Sequence, residues 1–304
     1  DLELTQNSGQ TSQPPWKLDN NIYSDVVVAD NKAVLFQVKQ KENNLDFNFI
    51  GDISNKEATK KIKTIFDLDF NLNKFYKYLN NQPELADMTN FCRDLRLFLA
   101  KDKFECVISS VCSANNSIVR WTKSIDDIKK SWGNKYTYSE KDYFTFPDVS
   151  DFKNIYCDDV EEFECCSNLN NPGECINNLK SCGVGYRAPY MKKASEIFTL
   201  EMDLDDISKM SYDEAFDTML KVPGVGPKVA DCILLYGFNF RQAFPTDVWI
   251  KRIVSYLYFD GKDINVSKIR EFGMEEFGDY AGYVQLYLFH YARMSGLMKK
   301  LKGM

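Results

Sequence analysis

Residues 220–254 read LKVPGVGPKVADCILLYGFNFRQAFPTDVWIKRIV, and this stretch contains two predicted helix starts. At the first, the Pro-Gly-Val-Gly run at 223–226 predicts a tight hairpin whose glycines can adopt positive φ, and Pro227 suits the first position of a helix. At the second, Asp247 precedes an apolar-periodic run and is a candidate N-cap. Each predicted helix therefore begins beside a charged residue, Lys228 or Asp247.

The hairpin also predicts a phosphate-binding site. Backbone N–H groups at a helix N-terminus point toward an approaching anion, and glycines leave room for it. The same helix dipole, together with desolvation, disfavours an ammonium at Lys228, which is how Schiff-base lysines are activated. It favours an ionised carboxylate at Asp247. Taken singly, each residue also has an ordinary interpretation: a solvated lysine in a first turn, and an aspartate that only caps.

Composition indicates a globular protein with a sizeable core. The chain has 304 residues, of which 44% are hydrophobic and 14% aromatic, enough for one large domain or two to three small ones. No apolar run approaches the roughly 18 residues of a membrane span, and the polar start gives no sign of a targeting peptide. Nine scattered cysteines fit a reducing compartment better than a secreted disulfide framework. We therefore expect an intracellular protein without a membrane association.

The net charge of -6 argues at first against a DNA-binding protein, since phosphate neutralisation favours a basic surface. The acidity is uneven, however. Acidic residues are concentrated at 139–176, whereas Lys and Arg outnumber Asp and Glu from residue 221 onward. The local field decides binding, so a nucleic-acid partner remains compatible with the charge.

The order of patterns along the chain predicts an α+β fold. The β-rich runs are residues 23–29, 33–39 and 45–51, which predict an antiparallel meander. Helical periodicity follows at 56–66, 73–80 and 86–99, and no later segment has a strong strand pattern. We therefore expect an N-terminal antiparallel sheet domain with helices at 1–98, and an all-helical part at 99–304.

Three further segments carry candidate functional residues, each with a plainer alternative. Residues 102–121 predict a helix, a break at Asn115 and a second helix that carries Arg120. The Gly-Val-Gly loop at 183–185 precedes Tyr186 and Arg187. Gln285 and Phe289 share a face of a predicted helix, as do Lys228 and Cys232. The plainer interpretations are an Asn-rich turn with a solvated arginine, a tyrosine packed on its own domain, and ordinary helix packing; His290 is expected to be a core residue.

The cysteines of the acidic segment 152–175 make a metal site conceivable. Their spacing, Cys-x7-Cys-Cys-x8-Cys from Cys157 to Cys175, lacks a Cys-x2-Cys pair, and the acidic composition favours a solvated loop. We expect no metal there.

The run PGVGPKVADC at 223–232, followed by FPTDV at 244–248, resembles the helix-hairpin-helix motif and aspartate of the DNA glycosylase superfamily. More narrowly, it resembles 8-oxoguanine DNA glycosylase/AP lyase of the eukaryotic type. The resemblance covers nearly the whole chain, is weakest at 1–30 and is absent from the acidic insertion. It implies a TBP-like N-terminal domain and a helical glycosylase core, with the motif at about 219–252.

The resemblance also implies roles for individual residues. Lys228 would attack C1′ of the damaged nucleotide, while Asp247 stabilises the developing oxocarbenium charge. The lesion-base pocket would consist of Gly9, Cys232, Gln285 and Phe289; the opposite-base and wedge residues would be Asn115, Arg120, Tyr186 and Arg187; and the phosphate-binding residues would be Gly224, Val225 and Gly226. The basic tail, which includes Arg293, would add phosphate contacts.

The partner implied is double-stranded DNA with 8-oxoguanine opposite cytosine, bound by a monomer in the nucleoid of a prokaryote or the nucleus of a eukaryote. No redox cofactor is expected. A monovalent cation or Ca²⁺ at the hairpin is compatible with relatives of this type, and an iron–sulfur subgroup is excluded because no cysteine follows Cys232. Two alternatives stay open: a glycosylase for another damaged base, and a non-enzymatic helix-hairpin-helix DNA-binding protein.

Overall fold

The computed structural model describes residues 1–29, 32–157 and 177–301. Most of the acidic insertion, including Cys165, Cys166 and Cys175, lies outside these residues. The four strands of the N-terminal sheet are β1 (Lys17–Asp19), β2 (Ile22–Ala29), β3 (Lys32–Lys41) and β4 (Asn44–Ile50). They form an antiparallel sheet in the order β1-β2-β3-β4, so the predicted meander is confirmed with one additional short strand, β1.

Helices account for most of the rest. Those of the first hundred residues are α1 (Leu2–Gln6), α2 (Asn55–Ile65), α3 (Leu72–Asn80) and α4 (Met88–Phe91). The middle of the chain forms α5 (Lys103–Ser113), α6 (Ile118–Trp132), α7 (Val149–Phe152), α8 (Ala188–Leu200), α9 (Leu204–Ile207) and α10 (Tyr212–Leu220). The last are α11 (Pro227–Phe238), α12 (Val248–Tyr258), α13 (Val266–Phe277), α14 (Ala281–Met294) and α15 (Leu297–Leu301), and short 3-10 turns precede α8 and α14. The α+β fold class is confirmed.

Two hydrophobic cores result from this arrangement. One face of the sheet packs on α2, where Phe36 of β3 and Ile62 of α2 belong to the same buried cluster. A larger core extends from Phe70 to Leu301 and joins α3 to the later helices. Within it, the Phe70 and Tyr283 rings stack with their centroids 3.8 Å apart. None of the helices in the described ranges is both long and apolar enough to cross a membrane.

The expectation of a helix at 86–99 was wrong beyond α4. After Phe91 the chain continues without regular secondary structure to residue 102. Its N–H groups bond instead to distant parts of the molecule: Phe98 donates to Gln10 Oε1 at 2.9 Å, Leu99 to the Ile65 carbonyl at 2.8 Å and Ala100 to the Tyr236 carbonyl at 2.9 Å. These tertiary partners satisfy the backbone that a helix would otherwise satisfy by itself.

The expectation of an all-helical part after residue 99 was also incomplete. Strands β5 (Lys135–Tyr138) and β6 (Lys141–Phe144) form a hairpin, and Tyr143 packs against Val26 and Leu35 on the outer face of the sheet. Its turn residues, Ser139 and Glu140, both have positive φ. A Ser-Glu turn lacks the Asn-Gly or Asp-Gly pair that marks such hairpins in a sequence, which explains why the pattern missed it.

Buried charges connect the N-terminal sheet to the helical part. Asp25 of β2 forms ion pairs with Lys101 and with Lys129 of α6, the latter at 3.3 Å, and all three side chains are buried. Glu105 of α5 lies 3.8 Å from both lysines. Burial by itself would raise the pKa of Asp25, but the two lysines outweigh it and hold that pKa below its usual value.

Candidate active site

The two predicted helix starts are confirmed. Helix α11 begins with Pro227 after Gly226, and no side chain caps its N-terminal N–H groups. Helix α12 is capped by Asp247, whose Oδ1 accepts from the N–H groups of Trp249 at 2.9 Å and Ile250 at 2.8 Å. One carboxylate oxygen therefore fixes the helix, and the described residues provide no hydrogen bond to the other.

The hairpin before α11 differs in part from the expectation. Gly224 has a φ of +81°, and a Cβ at this position would lie 2.7 Å from the Tyr190 ring. Gly226 instead has a φ of -93°, so only the first glycine uses the left-handed region. The Val225 N–H bonds to the Val222 carbonyl at 3.0 Å. The N–H groups that point out of this hairpin are therefore those of Gly226 and the first turn of α11.

A small cavity brings together the predicted catalytic and lesion-pocket residues. Its volume is about 70 Å³, and it is lined by Ser8, Gly9, Gln10, Thr11, Lys228, Cys232, Tyr236, Asp247, Gln285, Leu286 and Phe289. Lys228, Asp247 and Phe289 are half-buried, whereas Cys232 is 3% exposed. Burial raises the pKa of the Cys232 thiol, so this side chain is uncharged at neutral pH. An amine and a carboxylate therefore line the same cavity as a buried thiol and the Phe289 ring.

Gln285 provides a polar group on the buried side of this cavity. Its side chain is 8% exposed, and Oε1 is buried without a hydrogen-bond partner in the described part of the chain. Buried amide oxygens are nearly always paired, because an unpaired one costs about 1–3 kcal/mol. A ligand with N–H donors would satisfy this unpaired acceptor.

The segment around Gly9 forms one side of the cavity. Gly9 has a φ of +86°, and a Cβ at this position would lie 2.4 Å from Ile118 Cδ1, so only glycine fits without displacement. Arg293 Nη1 donates to the Ser8 carbonyl at 3.1 Å, and its guanidinium lies 5.6 Å from the Phe289 ring centroid. Arg293 thus connects two walls of the cavity, a role that the basic-tail interpretation of the sequence did not foresee.

The predicted opposite-base residues line a second, wider cleft of about 580 Å³. Its lining includes Asn115, Arg120, Tyr186 and Arg187. Asn115 occupies the predicted break between α5 and α6 with a φ of +49°, and both it and Arg120 are exposed. Tyr186 is 60% exposed, as an intercalating side chain would need to be.

Arg187 is the exception within this cleft, because it is buried and engaged. Its guanidinium donates to the Ala114 carbonyl through Nε at 2.8 Å and Nη2 at 2.5 Å, and to the Asn115 carbonyl at 2.9 Å. It also lies 4.4 Å from the Tyr186 ring centroid. Arg187 therefore holds the Asn115 turn against the Tyr186 loop, while the Arg120 side chain of the same cleft is exposed.

A larger cleft of about 660 Å³ lies between α1, β4 and the start of α3, where polar side chains such as Asn43 and Arg93 line it. The described residues contain no group of three or more His, Cys, Asp or Glu side chains placed to hold a metal ion. Any cation at the hairpin would consequently rest on backbone carbonyl oxygens.

Sequence reasoning missed Thr11 and Tyr236 as lining residues. Tyr236 follows Lys228 and Cys232 at four-residue intervals, so helical periodicity contained the signal. Thr11 had no such signal, because its segment is polar yet buried: Thr11 Oγ1 lies 3.1 Å from Ser110 Oγ, and Gln13 Nε2 donates to the Leu99 carbonyl at 2.8 Å.

Comparison with known proteins agrees with this arrangement. The N-terminal domain of 8-oxoguanine DNA glycosylases matches residues 1–107, and the family described as HhH-GPD superfamily base excision DNA repair protein matches residues 108–278. The "Probable N-glycosylase/DNA lyase" of Methanothermobacter thermautotrophicus is 44% identical over 99% of this chain and 96% of its own length.

Two solved structures are similar over nearly the whole chain. An 8-oxoguanine glycosylase/lyase from Clostridium acetobutylicum, in complex with double-stranded DNA containing cytosine opposite 8-oxoguanine, is 30% identical with a TM-score of 0.78, covering 97% of this chain and 92% of that one. MBOgg1 in complex with a low-affinity DNA ligand is 29% identical with a TM-score of 0.79, covering 97% and 93%. The chain thus belongs to the HhH-GPD superfamily of base excision DNA repair proteins and carries the N-terminal domain of its 8-oxoguanine glycosylases.

Proposed function

We propose that this protein is a bifunctional DNA glycosylase and AP lyase that excises 8-oxoguanine from opposite cytosine through a Schiff base at Lys228. The observation that carries the proposal is that Lys228 and Asp247 line the same small cavity as the unpaired Oε1 of Gln285. An amine nucleophile, a carboxylate and a base-reading amide are the groups that such a reaction requires. The relatives named N-glycosylase/DNA lyase and 8-oxoguanine glycosylase/lyase support both activities.

The first chemical step exchanges a bond to the base for a bond to the enzyme. The damaged nucleotide swings out of the duplex into the cavity. The Lys228 amine attacks C1′ and loses a proton, the bond between C1′ and N9 breaks, and its electron pair leaves with the base, which takes up a proton in exchange. Asp247 stabilises the positive charge that develops on the sugar. The half-buried carboxylate, fixed through only one of its oxygens, supports that role.

The second step cuts the strand. Opening of the sugar ring gives an iminium between Lys228 and C1′, which acidifies the protons at C2′. Loss of one of these protons leads to β-elimination, in which the C3′–O bond breaks and the 3′ phosphate leaves. Water then releases Lys228.

The duplex is held at two places outside the pocket. The open N–H groups at Gly226 and the start of α11 support a phosphate contact. The exposed Tyr186 supports a wedge into the gap left by the flipped base, while Asn115 and Arg120 meet the orphaned cytosine. The protein would act as a monomer. Its substrate would be chromosomal DNA, in a nucleoid or a nucleus.

The test is single-turnover excision on a duplex with one 8-oxoguanine opposite cytosine. Lys228→Gln is expected to slow base release and strand cleavage by at least about a thousandfold, because the nucleophile is lost. Duplex binding should persist. The matched control is Lys209→Gln, which changes an exposed lysine paired with Asp206. Excision at the wild-type rate by Lys228→Gln would show that this lysine is not the nucleophile.

A further inference from the structure

Tyr236 lies on the same face of α11 as Lys228 and Cys232. The three residues are spaced at i, i+4 and i+8, and all of them line the small cavity. Lys228 is half-buried, whereas Cys232 and Tyr236 are 3% and 5% exposed. With a rise of about 1.5 Å per residue, Tyr236 lies about 12 Å along the helix from Lys228. The α11 wall of the cavity therefore runs from the half-buried Lys228 at its outer end to the buried Tyr236 at its inner end.

The opposite wall has its own polar group toward that inner end. Helix α14 begins where α11 ends: the Gly282 N–H donates to the Arg241 carbonyl at 2.8 Å, and a Cβ on Gly282 would lie 2.4 Å from Leu235 Cδ1. Gln285 stands one turn into α14 and Phe289 one turn further. Gln285 is therefore the cavity-lining residue of α14 nearest to the end of α11 that carries Tyr236.

Both inner polar groups lack a protein partner. Gln285 Oε1 is buried and unpaired, and no group in residues 1–29, 32–157 or 177–301 forms a hydrogen bond with the Tyr236 hydroxyl. Burial raises the pKa of Tyr236 well above its usual range, so the phenol stays protonated and able to donate. Two unpaired polar groups on the buried side of one cavity indicate a ligand that supplies complementary groups.

We propose that Tyr236 is a specificity-determining residue whose hydroxyl donates a hydrogen bond to O6 of the flipped base. This inference rests on the proposed function, in which C1′ of the damaged nucleotide is held next to Lys228. The purine edge farthest from the glycosidic bond then points to the inner end of the cavity. That edge carries O6, which accepts from Tyr236, and N1–H, which donates to Gln285 Oε1. The α11 wall thus contributes a base-reading group in addition to the nucleophile.

The experiment compares Tyr236→Phe with wild type in single-turnover excision of 8-oxoguanine opposite cytosine. Loss of one neutral hydrogen bond is expected to slow base release about fivefold. Cleavage of a duplex that already contains an abasic site should be unchanged, because no base is present to be read. The matched control is Tyr258→Phe, which removes a buried, unpaired hydroxyl that lies outside the cavity and should excise at the wild-type rate.

A second measurement changes the substrate rather than the protein. On a duplex whose 8-oxopurine carries hydrogen in place of O6, Tyr236→Phe and wild type should release the base at equal rates. Equal rates on 8-oxoguanine itself, or an undiminished fivefold difference on the O6-deficient base, would overturn the assignment. Failure of the proposed function is distinguishable, since wild type would then release no 8-oxoguanine at all.

Discussion

Lys228 and Asp247 line one cavity, although Lys228 lies in the first turn of α11 and Asp247 is the N-cap of α12. The hairpin and the cap thus place an amine and a carboxylate at two neighbouring helix N-termini. Both termini favour a nearby negative charge, which suits the Asp247 carboxylate at one of them and a DNA phosphate at the other. The positive ends of both helix dipoles therefore face the proposed DNA-binding site.

A conservative substitution can separate the structural role of Asp247 as an N-cap from its proposed role in stabilising charge on the sugar. Asn accepts N-cap hydrogen bonds as well as Asp does, so Asp247→Asn should change the free energy of unfolding by less than about 0.5 kcal/mol. The carboxylate charge is lost, and single-turnover excision should slow about a hundredfold or more. Denaturant melts and excision rates of the same preparation check both statements. Unimpaired excision by Asp247→Asn would remove the carboxylate from the mechanism.

Alanine substitutions at the hairpin glycines Gly224 and Gly226 should affect stability and duplex binding differently. A methyl group at Gly226 meets no atom of the described protein within 4 Å, whereas one at Gly224 meets the Tyr190 ring at positive φ. Gly226→Ala should leave stability unchanged but weaken duplex binding, since the methyl occupies space in front of the open N–H groups. Gly224→Ala should lower both the stability of the protein and its affinity for the duplex. Melting temperature and fluorescence anisotropy with an undamaged duplex provide the comparison; undiminished binding by Gly226→Ala would argue against a phosphate contact there.

Alanine substitutions at Arg120 and Arg187 should have different effects, the first on opposite-base preference and the second on stability. Arg120→Ala removes an exposed cation and is expected to reduce the preference for cytosine over adenine opposite the lesion by about tenfold, without a loss of stability. Arg187→Ala removes the hydrogen bonds to the Ala114 and Asn115 carbonyls and should destabilise the protein by about 1–3 kcal/mol. Excision rates on duplexes with cytosine or adenine opposite the lesion test the first expectation, and thermal melts of the two variants test the second. An unchanged cytosine preference in Arg120→Ala would contradict its proposed contact.

The buried charges between sheet and helices predict a large effect on stability. Asp25→Asn removes the negative partner of two buried lysines and should lower the free energy of unfolding by about 3 kcal/mol at neutral pH. Because the pKa of folded Asp25 is below its unfolded value, its contribution is present above the unfolded pKa and is lost as pH falls through the folded one. In denaturant melts at several pH values, the difference in free energy of unfolding between wild type and Asp25→Asn should therefore decrease as the pH becomes acidic. A variant as stable as wild type at pH 7 would contradict this account.

His290 predicts a second pH effect. Burial and then Arg293 lower the pKa of this histidine below 6.5. The unfolded chain thus binds its proton more readily, so stability should decline as pH falls through and below about 6.5. His290→Gln should remove that part of the decline, because Gln does not titrate. Unfolding free energies of the two proteins at pH 7.5 and 5.5 make the comparison, and an equal decline in both would contradict the assignment.

Much of the site could be predicted because short motifs and helical spacing determine it. The hairpin, the Asp247 cap and the pairs Lys228–Cys232 and Gln285–Phe289 all follow from local rules. The segment around Gly9 was harder, because its buried polar side chains obtain their partners from distant residues such as Leu99 and Ser110. The chain after Phe91 was predicted wrongly for the same reason: tertiary hydrogen bonds replace a helix there.

The engagement of Arg187 with backbone carbonyls and the position of Tyr236 at the inner end of the cavity also depend on tertiary packing. A sequence indicates that an arginine follows a tyrosine, but only the fold places the Ala114 carbonyl within reach of it. Local rules therefore locate the proposed nucleophile, while packing decides which neighbouring side chains are exposed.

The most direct test of the central claim is borohydride trapping on labelled duplexes. Reduction should give a covalent adduct of wild-type protein with the 8-oxoguanine:cytosine duplex, none with the matching guanine:cytosine duplex, and none with Lys228→Gln on either. Release of 8-oxoguanine by wild type without a trapped adduct, or an adduct that survives Lys228→Gln, would contradict a Schiff base at Lys228.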